Sequence, residues 1–107
     1  MADPAIVDKI KRYLQSLPSY GIHARGAVLF GSFARGDANE WSDIDLVVIA
    51  PEFDEVCELS LVEQLWVARM ATDIRIEPIP CGEREWEADT GSPILEIARC
   101  EGLLIAA

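Results

Sequence analysis

Two short stretches of the sequence carry residues whose types and spacing suit chemistry on a phosphorylated ligand. The first is Gly31-Ser32, which follows the apolar residues 27–30 and precedes Arg35 by one helical turn. A glycine lets the backbone approach a ligand closely because no Cβ intervenes. A helix turn starting at Ser32 would direct free N–H groups toward an anion. The Ser32 hydroxyl adds a donor, and Arg35 could reach a phosphate or an acidic partner. These residues therefore predict a phosphate cradle.

The second stretch is the acidic pair Asp43 and Asp45, which begins eleven residues after Ser32. Positions i and i+2 of a strand share a face, with Cα atoms about 6.5–7 Å apart. Two carboxylates on one face repel each other unless a cation lies between them. A pair of Mg²⁺ ions about 3.5–4 Å apart would satisfy both. Each feature alone is common, but a cradle facing such a pair suits in-line attack on the α-phosphate of a nucleotide.

The flanking sequence predicts the elements that would position these residues. Asp3-Pro4 is typical of a helix start, and a buried helical stripe follows at Ile6, Ile10, Tyr13, Leu14 and Leu17. Strands are predicted at residues 27–30, 44–49, 73–79 and 103–105, and further helices at 56–70, 83–88 and after Ser92-Pro93. This alternation predicts an α/β fold around a small sheet, formed as one domain over residues 1–107.

The apolar pattern also predicts which side chains enter the core. Ile74 and Ile76 of the third strand are expected to face inward. The helix predicted at residues 56–70 is expected to bury one apolar stripe, formed by Val56, Leu59, Val62, Leu65, Trp66 and Met70. The helix after Ser92-Pro93 is expected to bury another, formed by Ile94, Leu95, Ile97 and Ala98. Trp41 lies between the cradle and Asp43, where it could stack on a base, meet a partner protein or cap the core.

Composition and charge restrict the class of protein. The net charge is −10, and the excess of acidic residues lies after residue 36, where the sequence has four basic and seventeen acidic side chains. The negative electrostatic potential of such an acidic chain argues against binding a long nucleic acid. A phosphorylated ligand should therefore be small. No apolar run is long enough to span a bilayer, and residues 1–4 lack a signal-peptide pattern. The three scattered cysteines, Cys57, Cys81 and Cys100, indicate a reduced, cytoplasmic chain without a zinc site.

The motif residues resemble those of a known superfamily. Gly31-Ser32 with Ala34-Arg35-Gly36, followed by Ser42-Asp43-Ile44-Asp45, is similar to the signature of the DNA polymerase beta-type nucleotidyltransferases. Within that superfamily the chain most resembles the minimal nucleotidyltransferases, over nearly its whole length. The resemblance implies a small mixed sheet with helices mainly on one side, two Mg²⁺ ions, and ATP or another nucleoside triphosphate. Gly31 and Ser32 would then hold the triphosphate, while Asp43 and Asp45 would bind both metals.

The family pattern calls for a third carboxylate on a neighbouring strand, as metal ligand and possible base. The chain offers Asp73 and Glu77, which the predicted strand places on one face with Arg75 between them. Glu77 is preferred because it lies in the middle of the strand, and Asp73 is the alternative. A glutamate departs from the commoner aspartate, although its longer side chain could still reach a metal. Asp43, Asp45 and Glu77 are therefore the expected catalytic residues.

The resemblance leaves the acceptor of the nucleotidyl group open. Larger members of the superfamily carry a helical domain that presents the acceptor, so here we expect a partner chain or a second copy to supply it. Minimal members are often encoded beside small helical HEPN-type proteins, and some are antitoxins that transfer AMP to that partner. Two alternatives are a transferase that modifies a small hydroxyl compound and a non-catalytic antitoxin that acts by binding. The complete acidic pair argues against the latter, and the missing acceptor domain against the former.

Overall fold

The computed structural model describes residues 3–54, 59–88 and 92–107. Helices and strands alternate in the predicted order: α1 (Pro4–Ser16), β1 (Gly26–Phe30), α2 (Ser32–Arg35), β2 (Ile44–Ile49), α3 (Leu59–Ala68), β3 (Ile76–Cys81), α4 (Glu83–Glu87), α5 (Pro93–Glu101) and β4 (Leu103–Ala106). The predictions for Val56 and Cys57 concern residues outside these described ranges. Within them, no helix is long and apolar enough to cross a membrane.

The four strands form one mixed sheet in the order β3-β2-β1-β4. β1 runs antiparallel to both β2 and β4, whereas β2 and β3 are parallel. A parallel pair needs a crossover connection, and the segment containing α3 supplies it. The mixed α/β fold expected from the sequence is therefore confirmed.

Alternating side chains of the strands enter two separate cores. Leu29 and Leu46 point to the face that is covered by α1 and α3, where the Tyr13 hydroxyl donates to the Leu65 carbonyl at 2.6 Å. Val28 and Val47 point to the opposite face, which is covered by α5 together with Trp86 of α4. The two longest helices thus share one side of the sheet, and the shorter α4 and α5 cover the other.

The first helix matches its prediction closely. Asp3 caps α1 by accepting a hydrogen bond from the Ala5 N–H at 2.9 Å, and Pro4 occupies the first turn. The whole predicted stripe is buried: Ile6, Ile10, Tyr13, Leu14 and Leu17.

The third strand begins later than predicted, at Ile76 rather than residue 73. Pro78 and Pro80 lie inside the strand rather than at its ends, which is possible because β3 is an edge strand. The carbonyls of Arg75 and Cys81 accept hydrogen bonds from the first residue of β2 and from the residue that follows β2, so the nitrogens of both prolines face the open edge. The prediction that Ile74 enters the core was wrong. Ile74 precedes the strand and is 64% exposed.

Two helices bury fewer apolar residues than their sequences predict. In α3 only Leu65 and Ala68 are buried, because these side chains face the core, against which Leu61 is partly buried. Trp66 and Met70 were expected in the core but are exposed, and so is Leu59. In α5, Leu95 and Ala98 are buried as predicted, while Ile94 and Ile97 stay exposed.

Candidate active site

Gly31 forms a tight turn between β1 and α2. Its backbone angles, φ +75° and ψ −153°, belong to a region that only glycine adopts without strain. A Cβ built on Gly31 would collide with the carboxylate of Asp45. The glycine therefore lets the backbone turn lie directly against Asp45, so the cradle and the acidic pair are in contact as expected.

Ser32 and Arg35 are the first and last residues of the short helix α2. The Arg35 side chain contacts two carboxylates, with Nη1 3.3 Å from Glu101 Oε1 and Nε 3.4 Å from Asp37 Oδ2. Gly36 then ends the helix at φ +85°. Arg35 therefore reaches acidic partners, as expected from its position one turn after Ser32. Its charge also acts on Asp45 of the acidic pair.

The three predicted catalytic acids lie together at one end of the sheet. Asp45 of β2 is paired in register with Glu77 of the parallel strand β3. Asp43 immediately precedes β2, and its carboxyl group lies close enough to that of Glu77 to raise the pKa of Glu77. Asp45 shares its strand face with Val47, on the side covered by α5. The structure thus brings together all six residues singled out in the motif and the third strand: Gly31, Ser32, Arg35, Asp43, Asp45 and Glu77.

Crowding of like charges perturbs this cluster. Burial raises the pKa of Asp45, and the charges of Asp43 and Glu101 raise it further, while Arg35 opposes them. Burial also raises the pKa of Glu77, with added repulsion from Asp43 and Asp45 and a smaller opposing effect of Arg69. The ionised forms are therefore destabilised, and a bound cation would relieve this cost.

The donor chemistry of the cluster suits a hard divalent cation, because every side chain in it offers carboxylate oxygens. In the described part of the chain, however, no group of three His, Cys, Asp or Glu residues is already arranged to hold a metal ion. The carboxylates thus suit Mg²⁺ by their chemistry and charge alone, and metal binding stays a prediction.

The alternative third carboxylate, Asp73, is held in a different environment. It lies in the turn before β3, so the prediction that it shares a strand face with Glu77 was wrong. Its carboxylate pairs with Arg75 (2.8 Å) and Lys9 (3.1 Å), and its side chain is only 9% exposed. Hydrogen bonds from Arg75 hold the pKa of Asp73 far below its usual range. This geometry favours Glu77 as the partner of Asp43 and Asp45.

One residue of this region was missed by the sequence reasoning. Glu101, the last residue of α5, accepts a hydrogen bond from the Gly31 N–H at 3.2 Å. The two residues are 70 positions apart, and packing of α5 against β1 brings them together. Nothing in the local sequence distinguishes Glu101 from other acids at helix ends.

Trp41 does not cap the core. Its side chain is 84% exposed, and its backbone N–H is fixed by Asn39 Oδ1 at 2.8 Å. The Asn39 N–H in turn donates to Ser42 Oγ. The indole is therefore carried into solvent on an ordered turn two residues before Asp43. This placement is compatible with stacking on a base or with contact to a partner protein.

Comparisons with known proteins agree with this geometry. A family model described as "Nucleotidyltransferase domain" matches residues 7–89, which include the six motif and third-strand residues. A protein of Methanocaldococcus jannaschii, named a candidate protein adenylyltransferase, is 42% identical over 52 residues. That match covers 47% of this chain and 52% of the relative, or about half the relative's length. The crystal structure of a candidate nucleotidyltransferase from Sulfolobus solfataricus superposes with a TM-score of 0.63. It covers 94% of this chain and 78% of the other at 18% identity, which indicates a shared fold.

Proposed function

The chain belongs to the nucleotidyltransferase domain family, and we propose that it transfers AMP from ATP to a hydroxyl group on a partner protein. One observation carries the proposal. The Gly31 turn lies against Asp45, which faces Glu77 across two parallel strands with Asp43 beside them. A triphosphate held at the turn would place its α-phosphate close to the acids, where an acceptor oxygen could attack it.

The transfer balances as a substitution at the α-phosphorus. The acceptor oxygen forms a bond to this atom, the bond to the bridging oxygen of the β-phosphate breaks, and pyrophosphate leaves with that electron pair. Glu77 takes the hydroxyl proton, for which its raised pKa is suited. The Gly31 N–H, the Ser32 hydroxyl and Arg35 bind the triphosphate oxygens. Two Mg²⁺ ions, held by Asp43, Asp45 and Glu77, would supply positive charge to offset the negative charge of the triphosphate.

A protein acceptor is favoured by the surface next to these acids. Trp66, Val67, Met70 and Ile74 form an exposed apolar patch, which we call the α3 face. The Arg69 guanidinium stacks on the Trp66 ring and Arg69 donates to the carbonyls of Ile74 and Ile76. The charge of Arg69 also acts on Glu77, where it opposes the rise in pKa, so the α3 face lies within electrostatic reach of the acid cluster at the edge of the sheet. A nucleotide would not cover such a patch, whereas a docked protein would.

The character of the partner follows from charge and from the resemblance. A chain of net charge −10 associates most readily with a basic protein, and two copies of it would repel each other. The minimal nucleotidyltransferases suggest a small helical HEPN-type partner and an antitoxin role. The name of the M. jannaschii relative, a candidate protein adenylyltransferase, points to the same class of acceptor.

Transfer of a labelled α-phosphate from ATP tests the proposal. The chain is incubated with α-labelled ATP, MgCl₂ and a lysate, and protein and small-molecule fractions are then separated. We expect label in one protein with wild type and in none with the double variant Asp43→Asn, Asp45→Asn. Label confined to a small hydroxyl compound, or absent with the wild type, would contradict the proposal.

A further inference from the structure

The carboxylate of Glu101 occupies two donors of the phosphate cradle. Its Oε1 atom accepts the hydrogen bond from the Gly31 N–H at 3.2 Å and lies 3.3 Å from Arg35 Nη1. The Gly31 N–H carries a single hydrogen, which cannot serve two anionic acceptors at good geometry. A phosphate oxygen therefore has to compete with Glu101 for the Gly31 N–H, and it would share with that carboxylate the Arg35 guanidinium, which carries five N–H groups.

We propose that Glu101 is a gate residue, whose carboxylate closes the cradle in the nucleotide-free protein and must leave the Gly31 N–H before a triphosphate can bind there. This inference rests on the proposed function, because it needs a nucleoside triphosphate at the Gly31 turn. It adds a residue that sets the affinity for the nucleotide without taking part in the transfer.

Electrostatics give Glu101 a second effect of the same sign. Its charge already acts on Asp45 and contributes to the raised pKa of that residue. A triphosphate brings several more negative charges to the same place, so the ionised Glu101 opposes its binding by repulsion as well as by competition. Neutralising Glu101 removes both effects together.

The structure leaves Glu101 free to move by side-chain rotation. Its side chain is 30% exposed, and that of Arg35 is half exposed. The backbone after Glu101 is held by the Gly102 N–H, which donates to the Ala98 carbonyl at 2.9 Å. Opening of the gate therefore requires a change of rotamer and no movement of α5. Arg35 retains Asp37 as a second partner during the exchange.

A purely structural role for Glu101 predicts the opposite result. If the carboxylate only braced the Gly31 turn in its binding shape, its removal would loosen the cradle and weaken nucleotide binding. The sign of the change in affinity therefore separates a gate from a brace.

Calorimetric titration of the full chain with ATP in the presence of Mg²⁺ measures that sign. We expect Glu101→Gln to tighten binding roughly tenfold, since a charge-assisted contact no longer competes. The matched control is Glu96→Gln, which removes the same charge from an exposed position of α5 and should change affinity less than about twofold. Inorganic tripolyphosphate should show the same difference between wild type and Glu101→Gln.

The outcomes distinguish failure of the gate from failure of the proposed function. Unchanged or weaker ATP binding by Glu101→Gln, with normal binding by wild type, overturns the gate and leaves the proposed function standing. Absence of ATP binding in the wild type overturns both. If thermal denaturation shows that Glu101→Gln is unfolded, Glu101→Asp replaces it, because the shorter side chain withdraws from Gly31. Tighter binding by that variant supports the gate, and unchanged or weaker binding overturns it.

Discussion

Asp45 and Glu77 lie directly opposite each other on the parallel strands β2 and β3. Asp43 adds a third carboxyl group close enough to raise the pKa of Glu77. A fold that needed these residues only for stability would not place three acids together, because burial and the neighbouring charges raise the pKa values of Asp45 and Glu77. The arrangement therefore supports the proposal that these acids bind a cation together with a negatively charged substrate.

We expect the acid cluster to make the metal-free protein less stable at neutral pH than near pH 4. Asp45 and Glu77 have raised pKa values in the folded state, so the folded protein binds more protons than the unfolded chain, and stability falls as pH rises above their ordinary values near 4. We expect the double variant Asp43→Asn, Asp45→Asn to melt at an equal or higher temperature than wild type at pH 7 in chelator. The difference should shrink as pH is lowered toward 4.

Thermal denaturation followed by circular dichroism between pH 4 and 7 measures this effect. Asp8→Asn, which neutralises one exposed acid of α1, serves as the control for loss of a surface charge and should behave like wild type. A double variant clearly less stable than wild type at pH 7 without metal would refute the interpretation of the cluster as mutually repulsive.

Asp73 is expected to contribute stability and no chemistry. Its pKa is lowered by Arg75 and Lys9, so its contribution is present above the ordinary aspartate value and is lost as pH falls below it. Asp73→Asn should therefore lower the free energy of unfolding at pH 7 by about 1–3 kcal/mol while ATP affinity stays unchanged. Urea denaturation and ATP titration of the same preparation check both points. Loss of ATP binding in a folded Asp73→Asn variant would instead place Asp73 in the site.

Gly31 is predicted to tolerate no side chain, for two independent reasons. Its positive φ strains any other residue by about 1–3 kcal/mol, and a Cβ would also collide with Asp45. Gly21 provides the matched control, because it has a φ of +84° but nothing within 4 Å of a built Cβ. Urea denaturation should show Gly31→Ala to be more destabilising than Gly21→Ala, and ATP titration should show loss of binding in Gly31→Ala alone. Equal effects of the two substitutions on stability and on ATP binding would mean that the Gly31 turn is only structural.

The α3 face is predicted to dock the acceptor protein. Met70→Glu introduces a charge at a side chain that is 68% exposed, while Leu104→Glu does so at a side chain that is 70% exposed on β4, at the opposite edge of the sheet. We expect Met70→Glu to reduce label transfer to the partner at least roughly tenfold, as for a residue central to an interface, without changing ATP affinity. Leu104→Glu should keep full transfer. Equal transfer by both variants would exclude the α3 face as the docking surface.

The sequence predicted the parts of the fold that local patterns determine. The Asp3-Pro4 cap, the α1 stripe and the boundaries of β2 follow from capping and from apolar periodicity, and Gly31-Ser32 with Asp43 and Asp45 follows from a contiguous motif. Asp73 and Glu77 could not be separated in this way, because the choice depends on where β3 starts and on ion pairs to Lys9 and Arg75. Glu101 reaches the site only through packing of α5 against β1, a contact without a local signal. The exposure of Trp66 was missed because an apolar stripe predicts burial, while the residues that actually contact the sheet depend on how the helix packs against it.

The intact mass of a purified partner protein shows directly whether AMP has been transferred to it. The labelled partner is isolated, incubated with ATP and MgCl₂ together with wild type, Glu77→Gln or Asp73→Asn, and its mass is then measured. We expect a mass gain of one AMP with wild type and with Asp73→Asn, and none with Glu77→Gln, because Glu77 and not Asp73 is paired with Asp45. A partner left unmodified by wild type although the two chains bind tightly would contradict nucleotidyl transfer and identify the chain as a binding protein. Modification that survives Glu77→Gln but not Asp73→Asn would contradict the assignment of the third carboxylate.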